Sequence, residues 1–276
     1  MNQRCLTILE MLSREEMIDV NDLARRLDVS AVTVRKDLDL LEKRGLLRRQ
    51  HGAAVRVSSN DIGYRMTFDY EVKARIAARA AAMVENGETV MIESGSTCAL
   101  LAAELVKTKR DVTIVTNSAF IAGHVRTLPR ARVVLLGGSY DPDAQVMSGP
   151  LVRKCAEEFF VNKFFIGTDG YDPAQGFSNV DLLRAEAVRA MAAQAEKRII
   201  LTDSSKFGRR GVVLLMPTKQ VSAVITDDVP ADCRASLEEQ GVEVILVPSL
   251  SELFIKSIGN LVGLPMRPCY ATNKIL

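Results

Sequence analysis

Apolar residues recur at intervals of three and four positions in two stretches near the start of the chain. This spacing places them on one side of a helix, so each stretch predicts a short amphipathic helix. A third helix is predicted over residues 31–44, with Ser30 as its capping residue and Gly45 as its stop. The apolar positions of the three helices are Cys5, Ile8, Leu9 and Leu12, then Val20, Leu23, Ala24 and Leu27, then Val34, Leu38 and Leu41.

Residues 46–57 contain two short alternating runs about His51 and Gly52, which predicts a β-hairpin. Three helices and a basic hairpin are typical of a winged helix-turn-helix, whose third helix enters the DNA major groove while the hairpin, or wing, lies on the backbone. A generic solvated helical unit with surface arginines is the alternative interpretation. The predicted DNA contacts are Ser30, Thr33, Arg35 and Lys36 on the helix, and Arg48, Arg49, His51 and Arg56 on the wing.

Beyond a small polar segment at residues 58–63, short β-branched runs alternate with helical segments, beginning with an Ala-rich helix predicted over residues 71–84. The alternation predicts a mostly parallel sheet with helices on both faces. Strands are predicted over residues 89–92, 112–115, 133–136, 163–166, 198–201, 223–225 and 242–247. The predicted organisation is a DNA-binding domain at 1–58, a linker at 59–70, an α/β domain at 71–262 and a tail at 263–276.

Polar residues and glycines directly follow five of these predicted strands. Ligands of such sheets bind at the carboxyl ends of the strands, so the five loops are expected to converge on one site of polyol-phosphate size. A phosphate is expected at the helix N-terminus after the first strand and beside Lys206, with Asn117 and Asp169 paired to hydroxyls. The candidate ligand residues are Ser94, Gly95, Ser96, Thr97, Asn117, Gly137, Gly138, Asp169, Gly170, Asp203 and Lys206. Taken singly, each motif has a plain alternative as a loop glycine, a turn cap or a solvated lysine.

Charge and cysteine content narrow the class of protein. The 276 residues hold 36 Lys and Arg against 34 Asp and Glu, and the excess lies in residues 35–56, with seven basic and three acidic side chains. Five scattered cysteines without a C-x-x-C pair fit neither a disulfide framework nor a zinc site, and they indicate a reducing, cytoplasmic compartment. No apolar run approaches the ~18 residues that span a membrane, and neither a signal peptide, a metal nor a cofactor is expected.

Two ordered sets of motifs resemble the DeoR family of bacterial sugar-catabolism repressors. V-S-A-V-T-V-R-K-D-L-D-L-L-E at 29–42 and R-Q-H-G at 49–52 resemble its helix-turn-helix signature and wing, with Ala53 where a second glycine is usual. The family's sensor-domain motifs are matched by E-S-G-S-T at 93–97, T-N at 116–117, G-G at 137–138, G-T-D-G at 167–170 and D-S-S-K-F at 203–207. The resemblance implies a sensor domain similar in fold to ribose-5-phosphate isomerase and a phosphorylated sugar or polyol effector.

The chain departs from the family pattern around the expected ligand site. Glu93 replaces the more usual Asp, F-S-N-V-D at 177–181 stands where many members have [LV]-T-T-x-N, and a family glutamate is displaced to Glu186. These changes bear on the identity of the ligand more than on its class. We interpret Arg184 as part of a solvated helix face, with an additional cation for an acidic effector as the alternative.

The helix-turn-helix pattern predicts a DNA-binding regulator, and the resemblance implies a repressor of a carbohydrate or polyol catabolic operon controlled by a phosphorylated sugar or polyol. Its partners are double-stranded operator DNA and further copies of itself, as a dimer or tetramer, because one winged helix buries too little DNA surface for high specificity. No membrane partner is expected. A protein that binds DNA without a small ligand would leave the five strand-end motifs without a role.

The alternative is a sugar-phosphate isomerase-like enzyme with an accessory helical domain. Proton abstraction beside a carbonyl needs a positioned base, and only Asp169 and Asp172 follow the fourth predicted strand closely, with Glu186 further on. The two histidines, His51 and His124, lie in the wing and on a predicted helix. No hydrolase, P-loop or dinucleotide motif occurs, so no catalytic residues are assigned.

Overall fold

The structure is a computed structural model that describes residues 3–43, 46–56, 61–129 and 132–249. The predictions for Arg44, Gly45, Val57 and the tail at 263–276 lie outside the described residues, as does part of the predicted linker.

The amino-terminal region contains the three predicted helices and the predicted hairpin. Its elements are α1 (Gln3–Arg14), β1 (Met17–Asp19), α2 (Val20–Arg26), α3 (Ala31–Lys43), β2 (Leu47–Gln50) and β3 (Ala53–Arg56). Strand β1 was not predicted, because three residues are too few to show an alternating pattern. It pairs antiparallel with β3, which gives a small sheet of order β1-β3-β2 beside the helices.

Short polar side chains set where the helices of this region begin. The Asp19 carboxylate accepts hydrogen bonds from the backbone N–H groups of Asn21 and Asp22 at 2.7 and 3.4 Å, and so caps α2. The Ser30 hydroxyl accepts one from the Thr33 N–H at 3.2 Å at the start of α3. The prediction of Ser30 as the capping residue is therefore confirmed.

The hairpin turn explains why the wing tolerates an alanine at the second of its usual glycine positions. His51 and Gly52 both have left-handed backbone, with φ of 50° and 84°. A two-residue turn with two positive φ values matches the twist of the flanking strands. Ala53 already belongs to β3 and is buried, so its position does not need glycine.

The apolar faces of α1, α2 and α3 meet in one core. Arg4 on α1 adds a polar tie to it, because its Nε lies 2.5 Å from a carboxylate oxygen of Asp37, which is buried on α3. The core side chains that are at most 1 % exposed are Cys5, Ile8, Leu9, Leu12, Leu23, Val34, Leu38, Leu41, Leu47 and Ala54.

Two helices connect this region to the large sheet, α4 (Ile62–Thr67) and α5 (Tyr70–Ala81). Residues 62–67 were expected to be linker, but they form a helix, capped by the Asp61 carboxylate, which accepts from the Tyr64 N–H at 2.8 Å. The predicted Ala-rich helix begins one residue earlier than expected and ends at Ala81 rather than at 84. The connection is therefore structured over its described residues.

The remaining elements alternate strand and helix along the chain. They are β4 (Thr89–Ile92), α6 (Ser96–Thr108), β5 (Thr113–Thr116), α7 (Ala119–Val125), β6 (Arg132–Leu135), β7 (Ser139–Asp141), β8 (Val146–Ser148), α8 (Pro150–Ala156), β9 (Val161–Gly167), β10 (Gly170–Asp172), β11 (Gly176–Asn179), α9 (Leu182–Ala192), β12 (Ala195–Leu201), β13 (Val213–Met216), β14 (Ala223–Thr226), α10 (Ala231–Glu239) and β15 (Glu243–Leu246), with 3-10 turns at Ser204–Lys206 and Thr218–Gln220.

The seven predicted strands form one seven-stranded sheet of order β15-β14-β12-β9-β4-β5-β6, and every pairing in it is parallel. Successive side chains of a strand point to opposite faces. Phe164 and Ile166 of β9 accordingly lie in one buried apolar cluster and Phe165 in another, so both faces of the sheet are covered. The predicted fold class is confirmed.

Five short strands outside this sheet were not predicted. Strands β7 and β8 form a hairpin, and β10, β11 and β13 form a separate antiparallel sheet. Each has three or four residues, too few for a reliable alternating pattern. The order of the large sheet matters more for function, because β4, β9 and β12 are neighbours, whereas β5 and β6 lie on the far side of β4.

Replacing Leu38 by alanine tests the amino-terminal core. Leu38 is fully buried on α3, so Leu38→Ala removes core contacts and leaves a cavity, and we expect a loss of about 2–5 kcal/mol in the free energy of unfolding of that region. Leu40→Ala, on the same helix but 37 % exposed, is the control and should change it by about 0.5 kcal/mol. Denaturant titration measures both, and equal losses would contradict the packing described.

Candidate functional site

The exposed face of α3 carries the four helix residues predicted to contact DNA. Arg35 and Lys36 are exposed, and among the described residues neither side chain has a hydrogen-bond or ion-pair partner. The hydroxyls of Ser30 and Thr33 lie 2.9 Å apart and hold the first turn. Val32 is 59 % exposed on this helix. The sequence did not predict it as a DNA contact, because Val32 is uncharged and lies outside the apolar face of α3.

The predicted phosphate contacts on the wing fall into two groups, one exposed and one paired with acidic residues. Arg48 and His51 are exposed. Arg49 is held against α3, because its guanidinium pairs with Asp39 and its backbone N–H donates to the Glu42 carboxylate at 2.7 Å. Arg56 lies 3.6 Å from Glu16. The wing is therefore fixed to the body of the domain by some of its own basic residues.

A cavity of about 180 Å³ lies at the carboxyl ends of β4, β9 and β12. It is smaller than the roughly 300–1,000 Å³ of pockets for drug-sized ligands, and its size suits a small metabolite. Its lining residues are Arg65, Phe68, Asp69, Lys73, Glu93, Gly95, Ser96, Thr97, Gly167, Thr168, Asp169, Asn179, Arg184, Leu201, Thr202, Asp203 and Lys206.

Three of the five predicted loops meet at this cavity. The loops after β4, β9 and β12 do so because these strands are neighbours, and they bring together six of the predicted ligand residues. The loops after β5 and β6 lie beyond β4 and do not reach it, which corrects the expectation that five strand ends converge. The predicted residues in the cavity are Gly95, Ser96, Thr97, Asp169, Asp203 and Lys206, and those outside it are Ser94, Asn117, Gly137, Gly138 and Gly170.

The two polar residues outside the cavity have partners within the protein. The Ser94 hydroxyl donates to the Glu93 carboxylate at 2.8 Å. Asn117 is buried, and its side-chain amide donates to the Met147 carbonyl at 3.0 Å, which fastens the β7–β8 hairpin to the end of β5. The amide nitrogen of Asn117 thus holds a strand of the protein, while its Oδ1 has no hydrogen-bond partner among the described residues.

Two of the glycines outside the cavity are required by close packing of the backbone. A Cβ at Gly138 would lie 2.6 Å from the Ser148 carbonyl oxygen. A Cβ at Gly170 would collide with the carbonyl of Arg209. Gly137 has more room, since its nearest neighbour would be the Cys155 sulfur at 3.8 Å.

Glu93 joins two of the loops that surround the cavity. Its carboxylate is 2 % exposed and accepts hydrogen bonds from the N–H groups of Gly95 at 2.7 Å and Gly167 at 3.2 Å. Gly95 is the N-cap residue of α6, and a Cβ there would lie 3.0 Å from the Glu93 oxygen, so a side chain at this position would press on the carboxylate. The carboxylate thus fixes the N-terminus of α6 beside the end of β9.

Three cations that line the cavity come from helices, and sequence reasoning assigned none of them to the ligand site. Arg65 lies on α4, with its Nη2 3.4 Å from an oxygen of Asp169. Lys73 is buried on α5, where its ammonium donates to the carbonyls of Arg65 and Phe68 at 2.8 and 2.7 Å. The predicted ligand residues were those that follow strands. Arg65 and Lys73 were not among them, because α4 was expected to be linker and α5 precedes the sheet.

Arg184 is the third of these cations, and its interpretation as part of a solvated helix face is wrong. The Asp181 carboxylate caps α9 by accepting from the Arg184 N–H at 2.8 Å, which places Arg184 in the first turn. The residue is 5 % exposed and lines the cavity. Glu186, the other residue considered near this point, is exposed.

The cavity holds four cations and four carboxylates, Arg65, Lys73, Arg184 and Lys206 with Asp69, Glu93, Asp169 and Asp203. Asp203 is occupied in part as the cap of a 3-10 turn, where it accepts from the Ser205 N–H at 3.1 Å. The Lys206 ammonium has no hydrogen-bond or ion-pair partner among the described residues. Burial lowers the pKa of Lys73 to about 8 and raises the pKa of the Cys98 thiol well above its usual range.

The described residues show neither a cluster typical of a metal site nor a helix typical of a membrane span. Across residues 3–43, 46–56, 61–129 and 132–249, no group of three or more His, Cys, Asp or Glu side chains is arranged to hold a metal ion. In the same ranges no helix has the length and apolar character needed to cross a bilayer.

Two family models match the chain. Residues 4–60 match the DeoR-like helix-turn-helix domain, and residues 69–228 match the DeoR C terminal sensor domain. Together they include the winged region, α5 and most of the large sheet.

Curated relatives match along most of their length. The HTH-type transcriptional regulator GlpR of Haloferax volcanii is 31% identical over 88% of this chain and 96% of its own. The regulator GolR of Listeria innocua is 28% identical over 80% and 88% of the two chains. The transcriptional repressor AccR of Agrobacterium fabrum is 28% identical over 80% of this chain and 87% of its own.

Among solved structures, ribose 5 phosphate isomerase A from Neisseria gonorrhoeae is 20% identical and covers 51% of this chain and 54% of its own, with a TM-score of 0.38. A likeness of this degree carries no conclusion about activity. The three relatives above bear the names of transcriptional regulators, and none of the three names is that of an enzyme. Of the carboxylates considered for catalysis, Asp172 lies outside the cavity and pairs with Arg210 at 2.8 Å.

The lowered pKa of Lys73 predicts how stability depends on pH. Between about pH 8 and 10.5 the unfolded chain holds this proton and the folded protein does not, so the Lys73 contribution to the free energy of unfolding rises with pH. Denaturant titrations give the free energy of unfolding of the wild type and of Lys73→Met. The value for the wild type minus that for the variant should increase above pH 8 and stay constant below pH 7. A difference that stays flat or falls would contradict the burial of a charged amine here.

Proposed function

The chain belongs to the DeoR family of transcriptional regulators, and we propose that it represses a carbohydrate or polyol catabolic operon until a phosphorylated sugar or polyol occupies the cavity. The names of relatives support the regulatory part of this proposal. The ligand class rests on the cavity, which combines four cationic groups, one of them the unpaired Lys206 ammonium, with hydroxyl and carboxylate side chains.

The observation that carries the proposal is the position of α4 between the two regions. Tyr64 belongs to the amino-terminal core, and its hydroxyl donates to the Leu9 carbonyl on α1 at 3.3 Å. The next residue, Arg65, lines the cavity and pairs with Asp169. A six-residue helix therefore contacts both the DNA-binding region and the candidate ligand site.

This arrangement gives a physical route from ligand to operator. A bound anion near Arg65 competes with Asp169 for the guanidinium, and a shift of the α4 backbone that follows moves Tyr64 as well. A ligand that fits one position of α4 better than the other shifts the equilibrium between them, and DNA that prefers the second position is released.

We place the phosphate between the N-terminus of α6 and Lys206. Gly95, Ser96 and Thr97 form the first turn of α6, where backbone N–H groups and hydroxyls suit an anion. Asp169 and Asp203 are the proposed partners of the ligand's hydroxyl groups.

On the DNA side, we propose that α3 enters the major groove and that the wing lies along the phosphates. The exposed methyl groups of Val32 are suited to a thymine methyl. The proposed base contacts are Ser30, Val32, Thr33, Arg35 and Lys36, and the proposed phosphate contacts are Arg48, Arg49, His51 and Arg56. DNA binding is assigned to residues 1–58 and ligand binding to 71–262, with α4 between them.

We further propose that the protein acts as a homo-oligomer, dimer or tetramer, because one winged helix supplies a single half-site. Exposed apolar side chains around the start of α9 and the edge of β13 support a contact between copies, since such a patch is rare on a monomer. They are Val180, Leu182, Leu183, Val212 and Leu214, each 49 % exposed or more.

Fluorescence anisotropy tests the proposal as a whole. The protein is titrated onto DNA from upstream of its own gene, across salt concentrations and with a panel of sugar and polyol phosphates and their free sugars. We expect specific, salt-sensitive binding that one phosphate releases and its free sugar does not. Failure to bind any local DNA specifically, or release by none of the phosphates, would contradict it.

Arg35→Ala tests the recognition helix. The change should weaken operator binding by about 1–3 kcal/mol and relax base discrimination at one position, because Arg35 offers a bidentate contact to guanine. Arg25→Ala removes an exposed arginine of α2 that pairs with Asp22 and should leave operator affinity unchanged. An equal loss of affinity for operator and random DNA would show that Arg35 contacts only phosphate.

Lys206→Ala tests the ligand side. Operator affinity should stay at the wild-type value while release by the phosphorylated ligand is lost, because the substitution removes an unpaired ammonium from the cavity and touches no residue of the DNA-binding region. Lys219→Ala is the matched control, since Lys219 is an exposed lysine in the other 3-10 turn. A normal ligand response from Lys206→Ala would contradict the proposed phosphate position.

A further inference from the structure

Arg184 is a buried cation whose hydrogen-bonding capacity is largely unused. A guanidinium offers five N–H donors, and a buried donor without an acceptor costs free energy. Arg184 is 5 % exposed, yet its Nε has no hydrogen-bond partner among the described residues. Its ion-pair partner is Glu93, at 3.9 Å from Nη2, a distance too long for a hydrogen bond.

Glu93 cannot complete the pair where it stands. Its two carboxylate oxygens already accept from the Ser94 hydroxyl at 2.8 Å and from the N–H groups of Gly95 and Gly167 at 2.7 and 3.2 Å. These bonds hold the loops after β4 and β9, so the carboxylate cannot turn towards Arg184 without releasing them. The guanidinium lines the cavity, and an acceptor from a ligand can satisfy it there.

The other cations of the cavity differ from Arg184 in their partners. Arg65 pairs with Asp169, and Lys73 is held by two backbone carbonyls. Lys206 is unpaired, but it lies in the loop after β12 and is proposed to bind phosphate with α6. Arg184 reaches the cavity from a different element, α9, and its planar fork matches the two oxygens of a carboxylate.

We propose that the ligand of the cavity carries a carboxylate in addition to its phosphate, and that Arg184 binds this carboxylate through parallel hydrogen bonds. The ligand class is then phosphorylated sugar acids, as distinct from phosphorylated sugars or polyols. This inference rests on the proposed function, since it assumes that the cavity binds a phosphorylated ligand. A carboxylate also suits the neighbourhood of Glu93 better than a phosphate dianion, because it brings less negative charge next to a buried carboxylate.

Discrimination follows from the buried guanidinium. A polyol phosphate of the same length places a hydroxymethyl group beside Arg184 and leaves most of its donors unpaired. Sites built to pair with one polar group reject the analogue that lacks it more strongly than apolar pockets reject a change of size. The acid is therefore expected to bind at least about tenfold more tightly than the matching alcohol.

Calorimetric titration of the full-length protein tests this with two matched pairs of probes. The pairs are 6-phosphogluconate with glucitol 6-phosphate, and 4-phosphoerythronate with erythritol 4-phosphate, whose members differ only in carboxylate against hydroxymethyl. We expect the acid of at least one pair to bind about tenfold or more tightly than its alcohol, and the same acid to release operator DNA. Gluconate without phosphate should bind more weakly than 6-phosphogluconate.

Arg184→Met should remove the preference, so that acid and alcohol bind within about threefold of each other. Arg184→Lys, which keeps the charge but not the fork, should retain part of it. Arg189→Met, an exposed arginine on the same helix, should keep the wild-type preference. Thermal unfolding of each variant checks that the fold is intact, and the wild-type comparison is informative even if Arg184→Met does not fold.

The outcomes separate this inference from the proposed function. Equal wild-type affinity for acid and alcohol would overturn the carboxylate proposal and leave a phosphosugar-controlled regulator standing. If Arg184→Met loses equal affinity for acid and alcohol, Arg184 binds the phosphate, and the carboxylate proposal is again overturned. Absence of binding by all four phosphates would contradict the proposed function, and the carboxylate proposal would fall with it.

Discussion

The short helix α4 contacts both regions of the protein, and the ion pair between its Arg65 and Asp169 is its charged contact at the cavity. It joins α4 to the loop after β9, while Tyr64 of the same helix is packed into the core of the winged region and bonded to α1. Both side chains belong to one helix of six residues, so a shift of its backbone moves both of them. The geometry of the cavity and the position of the DNA-binding region are therefore set together.

A second constraint is the burial of charge around the cavity. The Glu93 carboxylate accepts hydrogen bonds from backbone N–H groups in the loops after β4 and β9. The Asp203 carboxylate accepts one from a backbone N–H group of a 3-10 turn. Buried charges need partners, and those that the protein leaves short of acceptors, Arg184 above all, favour an anionic ligand. An anionic ligand would therefore add most to the stability of the protein at the charges that lack acceptors within the chain.

The sequence was sufficient for much of the fold and for part of the candidate site. The seven strands of the sheet are β-branched runs, and α3 has a regular apolar stripe, so both could be predicted. Asn117, Gly137 and Gly138 were assigned to the ligand because sheet order cannot be derived from strand positions, and β5 and β6 proved to lie beyond β4. Arg65 was missed, and Arg184 was interpreted as part of a solvated face, because only tertiary packing brings helix residues to a cavity.

Linkage between the two sites is the most direct test of this account. The affinity of a releasing sugar phosphate is measured by calorimetry on the free protein and on the protein saturated with operator DNA. The account predicts weaker binding to the operator complex, by the same factor by which that compound weakens operator binding, since coupling between two sites is reciprocal. Equal affinity in the two states would show that the cavity and the DNA-binding region are independent.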